Sequence, residues 1–412
     1  MTQPSRPLAG FRVLDYSQFV AGPFATMLLA DLGADVIKVE SPSGDAYRHY
    51  EPLGRDESRR FYALNRNKRS VVCDLKSAGG RELSRALLAT ADAVVHNMPP
   101  QRAFAFGLDP ESVREANSLA VVVAVSAFGS DGPYAGRMGY DLIAQAYSGL
   151  LMTDARLEDG VPRRSGGIPY SDITAGLLAC ISVTTGLTAR GRGRDRGHEF
   201  EVSLLGAALA TQIQTFVRTT TDDHSEAQTV TASDLKEVAA TIADADELEP
   251  YYRCYEASDG FFAVACLTSV QRRRVLAVLE LSDQWVDNPQ AVPTSAEERH
   301  TRADLARRLA ERFREHPVSL WIDRFSDVGV PATEVRLVQQ LFDDEQVRAN
   351  GLVQRVSQRQ GGAVELLGSV FKIDGVTEQL SGPAPGLGEH TAELVAELAI
   401  ATVDGRAADR TR

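Results

Sequence analysis

The chain is poor in cysteine. Cys73, Cys180, Cys254 and Cys266 stand far apart in 412 residues. They form no C-x-x-C pair and no cluster with histidine, which excludes a zinc site of ordinary spacing and a disulfide framework. They read as small buried hydrophobes. Long apolar runs are missing as well. No stretch approaches the roughly 18 uninterrupted apolar residues that a membrane span needs. The start, MTQPSRPLAGFRVLDYS, has no apolar core of signal-peptide length. A cytoplasmic location, away from membranes, is expected. Positive charge is also short: the formal net charge is -12. That excludes a broad nucleic-acid-binding face but leaves room for a local basic patch around a phosphorylated small molecule. The phosphate-loop, nucleophile-elbow and zinc-protease motifs do not occur. GRGRDRG, residues 191–197, misses the dinucleotide fingerprint by one position and reads as an exposed basic turn. There is no repeat of fixed period.

What is present is ordinary for a folded chain: 43% apolar and 24% charged residues. FRVLDYS, GPFATMLLADLGA and DVIKVE read as strand, helix and strand, a β-α-β unit that predicts a parallel sheet. SVVCDL, DAVVHNM and LAVVVAVSAFG follow as strands, with a Leu83, Leu87, Leu88 helix among them. Strands apolar on both faces belong in the middle of a helix-covered sheet. YDLIAQAYSGLLM reads as a helix, then a helix at Asp172, then GHEFEVSLLGAALATQIQTF. Composition turns polar and acidic near residue 218, and 218–248 reads as a part-helical linker. YYRCYEASDGFFAVACL reads as a hairpin around ASDG. Ser295 and Glu298 form a capping box at the start of a charged helix.

One acid stands out. Asp172, in SGGIPYSDITAGLLA, precedes an apolar helical run. Two readings compete: a helix N-cap, and a catalytic carboxylate favoured by the helix dipole.

Beyond these local signals, several blocks occur in a fixed order: PLAGFRVLDYSQFVAGPFATMLLADLGADVIKVESPSGD, NRNKRSVVCDLKS, GYDLIAQAYSGL, SDITAG, GVPATEV with DDEQVRANGLV, and LGEHTAELVAEL. In these blocks the chain resembles the class III CoA-transferases, the family that includes formyl-CoA transferase, carnitine CoA-transferase and α-methylacyl-CoA racemase. The resemblance runs nearly end to end. It implies an α/β fold with a large Rossmann-like domain built from 1–217 and 326–412. A smaller α+β domain, 249–325, is inserted after the linker, and two chains interlock as a homodimer. It implies Asp172 as the nucleophile, with Tyr140 and Asp141 beside it. An ionised carboxylate can attack an acyl-CoA thioester to give a mixed anhydride and free CoA thiolate. Gly166 and Gly167 would give backbone access for the developing oxyanion. Val20, Asn67, Lys68, Arg69, Lys76 and Asn97 match positions implied to bind CoA. The arginine usual in the next block is here Ala105, with Arg102 nearby as a substitute. The implied partners are an acyl-CoA and an acceptor carboxylic acid, with CoA a substrate and no resident cofactor or metal.

The family also holds racemases, which need a base on each face of the enolate carbon. They carry a histidine where this chain has Tyr140, and a glutamate where it has Thr268. With both missing and Asp172 kept, transfer is expected. Racemisation, a hydrolase or lyase reaction, and a non-catalytic CoA-binding homologue are the alternatives. No glycine-rich run occurs between 225 and 325 to cover the site. His96 is placed near the pocket, and His390 and Gln145 are read as structural. Arg163 and Arg164 read as a solvated turn; pointing inward, they would favour a dicarboxylic acid such as a succinyl group.

Overall fold

Short Val- and Ala-rich runs, rather than long ones, build the central sheet. Six strands pair in parallel: β1 (Arg12–Asp15), β2 (Asp35–Glu40), β3 (Arg69–Val72), β4 (Ala93–His96), β5 (Val121–Ser126) and β6 (Glu199–Ser203). The structure is a computed structural model and describes residues 6–54, 57–153, 156–164, 167–193, 196–217, 231–247, 249–288, 293, 295–358 and 361–403. The spatial order is β6-β5-β4-β1-β2-β3. The chain winds outward from β1 through β2 and β3, then restarts on the other side of β1 with β4. That reversal places a topological switch point between β1 and β4, where open α/β sheets bind ligands.

Alternate residues of each strand enter opposite cores, as strand pleating requires. Val13, Val36, Ala93 and Val121 join one core with α1 (Ala21–Asp31). Leu14, Ile37, Val94 and Val122 join the other, with Leu87, Val113 and Leu394. Both faces are covered, so the middle of the sheet is built mainly of Val, Leu, Ile and Ala.

Three helices after β5 complete the first face: α2 (Asp141–Tyr147), α3 (Tyr170–Gly191) and α4 (Leu204–Thr211). α3 is long and apolar enough to cross a bilayer by length and composition, a property the expectation of no membrane span did not foresee. Its Ala175, Ala179 and Val183 are instead fully buried in the first core. Gly176 lets α3 lie close to α1, because a Cβ there would come within 2.8 Å of the Ala21 carbonyl oxygen.

The chain divides into two compact units: 1–150, 164–223 and 342–412 in one, 151–163 and 224–341 in the other. The second unit holds an antiparallel sheet of β7 (Tyr252–Glu256), β8 (Phe261–Ala265) and β9 (Ala332–Glu334). Its core is aromatic, with Phe313 edge-on to Phe262 and Trp321 at 5.0 and 5.3 Å. The small domain expected to end at 325 extends further, because Val264 pairs with Ala332 and makes β9 part of this sheet. Within the expected linker, Ala232–Glu247 form a helix; residues 218–230 and 248 lie outside the described residues.

Candidate active site

The strands of the first unit end together, and a cavity of about 490 Å³ opens beyond their C-terminal ends. The segment after β1 contributes Gln18, Phe19 and Ala21. Glu40 and Ser41 come from the end of β2, and Cys73 to Lys76 from beyond β3. Asn97 to Pro100 and Arg102 follow β4, and Phe128, Arg137 and Tyr140 follow β5. Asp172, in the first turn of α3, lines the same space.

The helix-cap reading of Asp172 does not hold. The residue before α3 is Pro169, there is no side-chain cap, and Asp172 sits inside the first turn. Among the described residues its carboxylate has no hydrogen-bond or ion-pair partner. Burial pushes this carboxyl up, and the neighbouring charge of Asp141 adds to the shift, bringing it to about 7. Asp141 does not line the cavity but holds the backbone of the residue before Asp172. Its Oδ1 accepts from the Ser171 backbone N–H at 2.9 Å, and its Oδ2 accepts from Gln145 Nε2 at 2.6 Å. Burial raises the Asp141 carboxyl against these hydrogen bonds, which pull the other way. Gln145 is buried and unpartnered at Oε1, so its structural role is to hold Asp141.

Of the residues the resemblance marks for CoA, Lys76, Asn97 and Arg102 line the cavity. Among the described residues Lys76, Arg102 and Arg137 make no ion pair, so three side-chain cations of one cavity are left for an anion. Ala105 does not line it, and Arg102, one turn earlier on the same short helix, does.

Val20, Asn67, Lys68 and Arg69 do not line the cavity. Val20 is buried at the start of α1 while its neighbours Phe19 and Ala21 face the cavity. Asn67 has a left-handed φ of 63° and its amide is engaged elsewhere. Nδ2 donates to Asp31 at 2.8 Å, and Oδ1 accepts from the backbone N–H groups of Ser381 and Gly382. Arg69 pairs with Asp35, Glu393 and Glu397. Lys68 is fully buried and donates to Asp15, Asn65 and the Pro23 carbonyl. Burial lowers this ammonium to about 8, against the pull of Asp15. Burial would raise Asp15, but Lys38, Lys68 and Ser17 outweigh it and hold the carboxyl well below its ordinary value. The block NRNKR is therefore a brace that joins the C-terminal segment and the underside of α1.

Gly167 has a positive φ of 83° and does not line the cavity; Gly166 lies outside the described residues. His96 is buried and does not line it either, and burial lowers its imidazole to about 4. His390 accepts from the Ser70 N–H, a structural contact. Arg163 pairs at the surface with Glu158. Thr268 caps its own helix in a capping box with Gln271 and is no acid–base group.

The sequence reading missed Gln18, Phe19, Arg137 and Glu201. Arg137 alone carried a signal, a cation just before the Tyr140 block. The others follow from where the strands end.

Comparison with known proteins places the chain in a family. Residues 8–391 match CoA-transferase family III, and the chain belongs to that family. It is 30% identical to human succinyl-CoA:glutarate CoA-transferase over 395 residues, 95% of this chain and 86% of the human one. It is 29% identical to acetyl-CoA:oxalate CoA-transferase of Acetobacter aceti, covering 96% of this chain and 97% of the relative. A CaiB/BaiF family protein from Brucella suis has a similar crystal structure, with a TM-score of 0.73 and 30% identity across 95% of this chain and 99% of that one. The protein is a family III CoA-transferase.

Proposed function

We propose that the enzyme moves CoA from an acyl-CoA to a free carboxylic acid through covalent intermediates on Asp172. The observation that carries this is the Asp172 carboxylate itself: part-buried, without a hydrogen-bond or ion-pair partner among the described residues, and at the wall of a cavity where Lys76, Arg102 and Arg137 make no ion pair among those residues. Its raised pKa makes the ionised form more basic, hence a better nucleophile, while leaving about half of it ionised at neutral pH.

An Asp172 oxygen attacks the thioester carbonyl, the C–S bond breaks, and CoA leaves as thiolate from a mixed anhydride. The thiolate attacks the aspartyl carbonyl and releases the donor acid, giving an aspartyl thioester. The acceptor carboxylate attacks that thioester, forming a second anhydride and freeing the thiolate again. The thiolate then attacks the acceptor's acyl carbon and regenerates Asp172. Lys76, Arg102 and Arg137 supply charge for the phosphates of CoA.

The relatives named for succinyl, glutarate and oxalate substrates support a dicarboxylic acid as donor or acceptor. The family resemblance also supports pairing of two copies. Asp172→Asn tests the central step. CoA transfer should fall at least about 10³-fold, as removal of a covalent nucleophile does, while calorimetric affinity for CoA stays within about twofold. Retained transfer by this variant would end the proposal.

A further inference from the structure

At the switch point, one side chain spans the gap between the two halves of the sheet. Asn97, beyond β4, reaches the residue beyond β1: its Oδ1 accepts from the Gln18 N–H at 3.0 Å and its Nδ2 donates to the Gln18 carbonyl at 2.8 Å. The next amide is held as well, because Asp45 Oδ1 accepts from the Phe19 N–H at 3.3 Å. The residue before is held by buried Lys38, whose Nζ donates to the Ser17 carbonyl at 3.0 Å and pairs with Asp45 at 3.0 Å. Three successive residues are thus tied by three side chains. Phe19 carries a left-handed φ of 69°, a conformation a bulky residue adopts only when its surroundings impose it. Its ring meets Tyr47 and Tyr140 edge-on at 5.6 and 5.5 Å.

The residue this clamp fixes at its centre is Gln18. It lines the cavity with Asp172, and among the described residues its side-chain amide has no partner. We propose that Gln18 contacts the substrate, its amide donating to the carbonyl oxygen of the acyl thioester as Asp172 attacks, with Asn97 as its positioning residue. A neutral donor suits this place. It stabilises a developing oxyanion without pairing with the Asp172 carboxylate and weakening it as a nucleophile. Rigid backbone ties keep the donor aligned without reorganisation.

This inference rests on the transferase reading, and binding measurements separate the two. The probes are CoA and the ketone analogue of succinyl-CoA, in which a methylene replaces the thioester sulfur and the carbonyl is kept. Gln18→Leu should bind the analogue about tenfold more weakly and CoA within about twofold of wild type. Its kcat for transfer should fall about 10²-fold. Asn97→Ala should show the same pattern to a smaller degree, with KM for the acyl-CoA less affected than kcat. Equal binding of the analogue by wild type and Gln18→Leu overturns the proposal. So does equal weakening of CoA and analogue, which would put Gln18 on the CoA moiety or in the fold. Wild-type protein that binds neither probe would overturn the transferase reading itself, and this inference with it.

Discussion

An aspartate in water titrates near 3.8, and a carboxylate that weakly basic is a poor nucleophile toward a thioester. Burial and the Asp141 charge move Asp172 to about 7. The raised value means that the ionised form is disfavoured in the folded protein, so the reactive form gains population as pH rises through 7. Its fraction is about one part in eleven at pH 6 and about ten in eleven at pH 8. The kcat/KM of wild type should therefore climb about tenfold between those values. Asp141→Asn removes one of the two causes and should move that rise to lower pH. A flat profile across this range, or a rise that Asp141→Asn leaves in place, would show that another group sets the reactive state.

At the scale of elements, the sequence made some placements legible and hid others. The Asp172 helix and the Tyr140 block were readable because a short motif fixes their order, and the structure brings Tyr140 and Asp172 to one cavity. The partners of the NRNKR side chains were not legible, because a polar or charged residue in a sequence does not say which acid faces it. Asp15, Asp31 and Asp35 lie far away in sequence and take up Lys68, Asn67 and Arg69. Arg102, close in sequence to Ala105, lines the cavity while Ala105 does not, and the two share one short helix. The β6 strand was not separated from the helix that follows it, because EFEVSLLGAALAT runs from one into the other without a turn signal.

The same elements bear on association. α3 exposes Leu177 and Ile181 at 45% and 58%, and Ile213 and Phe216 beyond α4 are 71% and 69% exposed. Apolar side chains in such numbers favour a partner surface. Sedimentation equilibrium should give about twice the 44.6 kDa chain mass. A single-chain mass at micromolar concentration would contradict the proposed pairing.

For the molecule as a whole, the parallel sheet was legible from its both-faced apolar strands, and the order of strands was not. Sheet order depends on which crossovers pack together, and the reversal at β1 and β4 is a property of topology rather than of any local pattern. That reversal creates the site. It gathers the segments that follow all six strands, and among the described residues three side-chain cations of the cavity make no ion pair in a chain of net charge -12, while Asp172 lines the same space. The central claim, that Asp172 becomes covalently acylated, is tested most directly by peptide mass spectrometry. The protein is incubated with a panel of acyl-CoAs, including succinyl-CoA, and quenched with hydroxylamine. An activated aspartyl carbonyl, as anhydride or thioester, converts to a hydroxamate, and the predicted result is that mark on Asp172 with one class of acyl-CoA. CoA transfer that proceeds while Asp172 stays unmarked would contradict it.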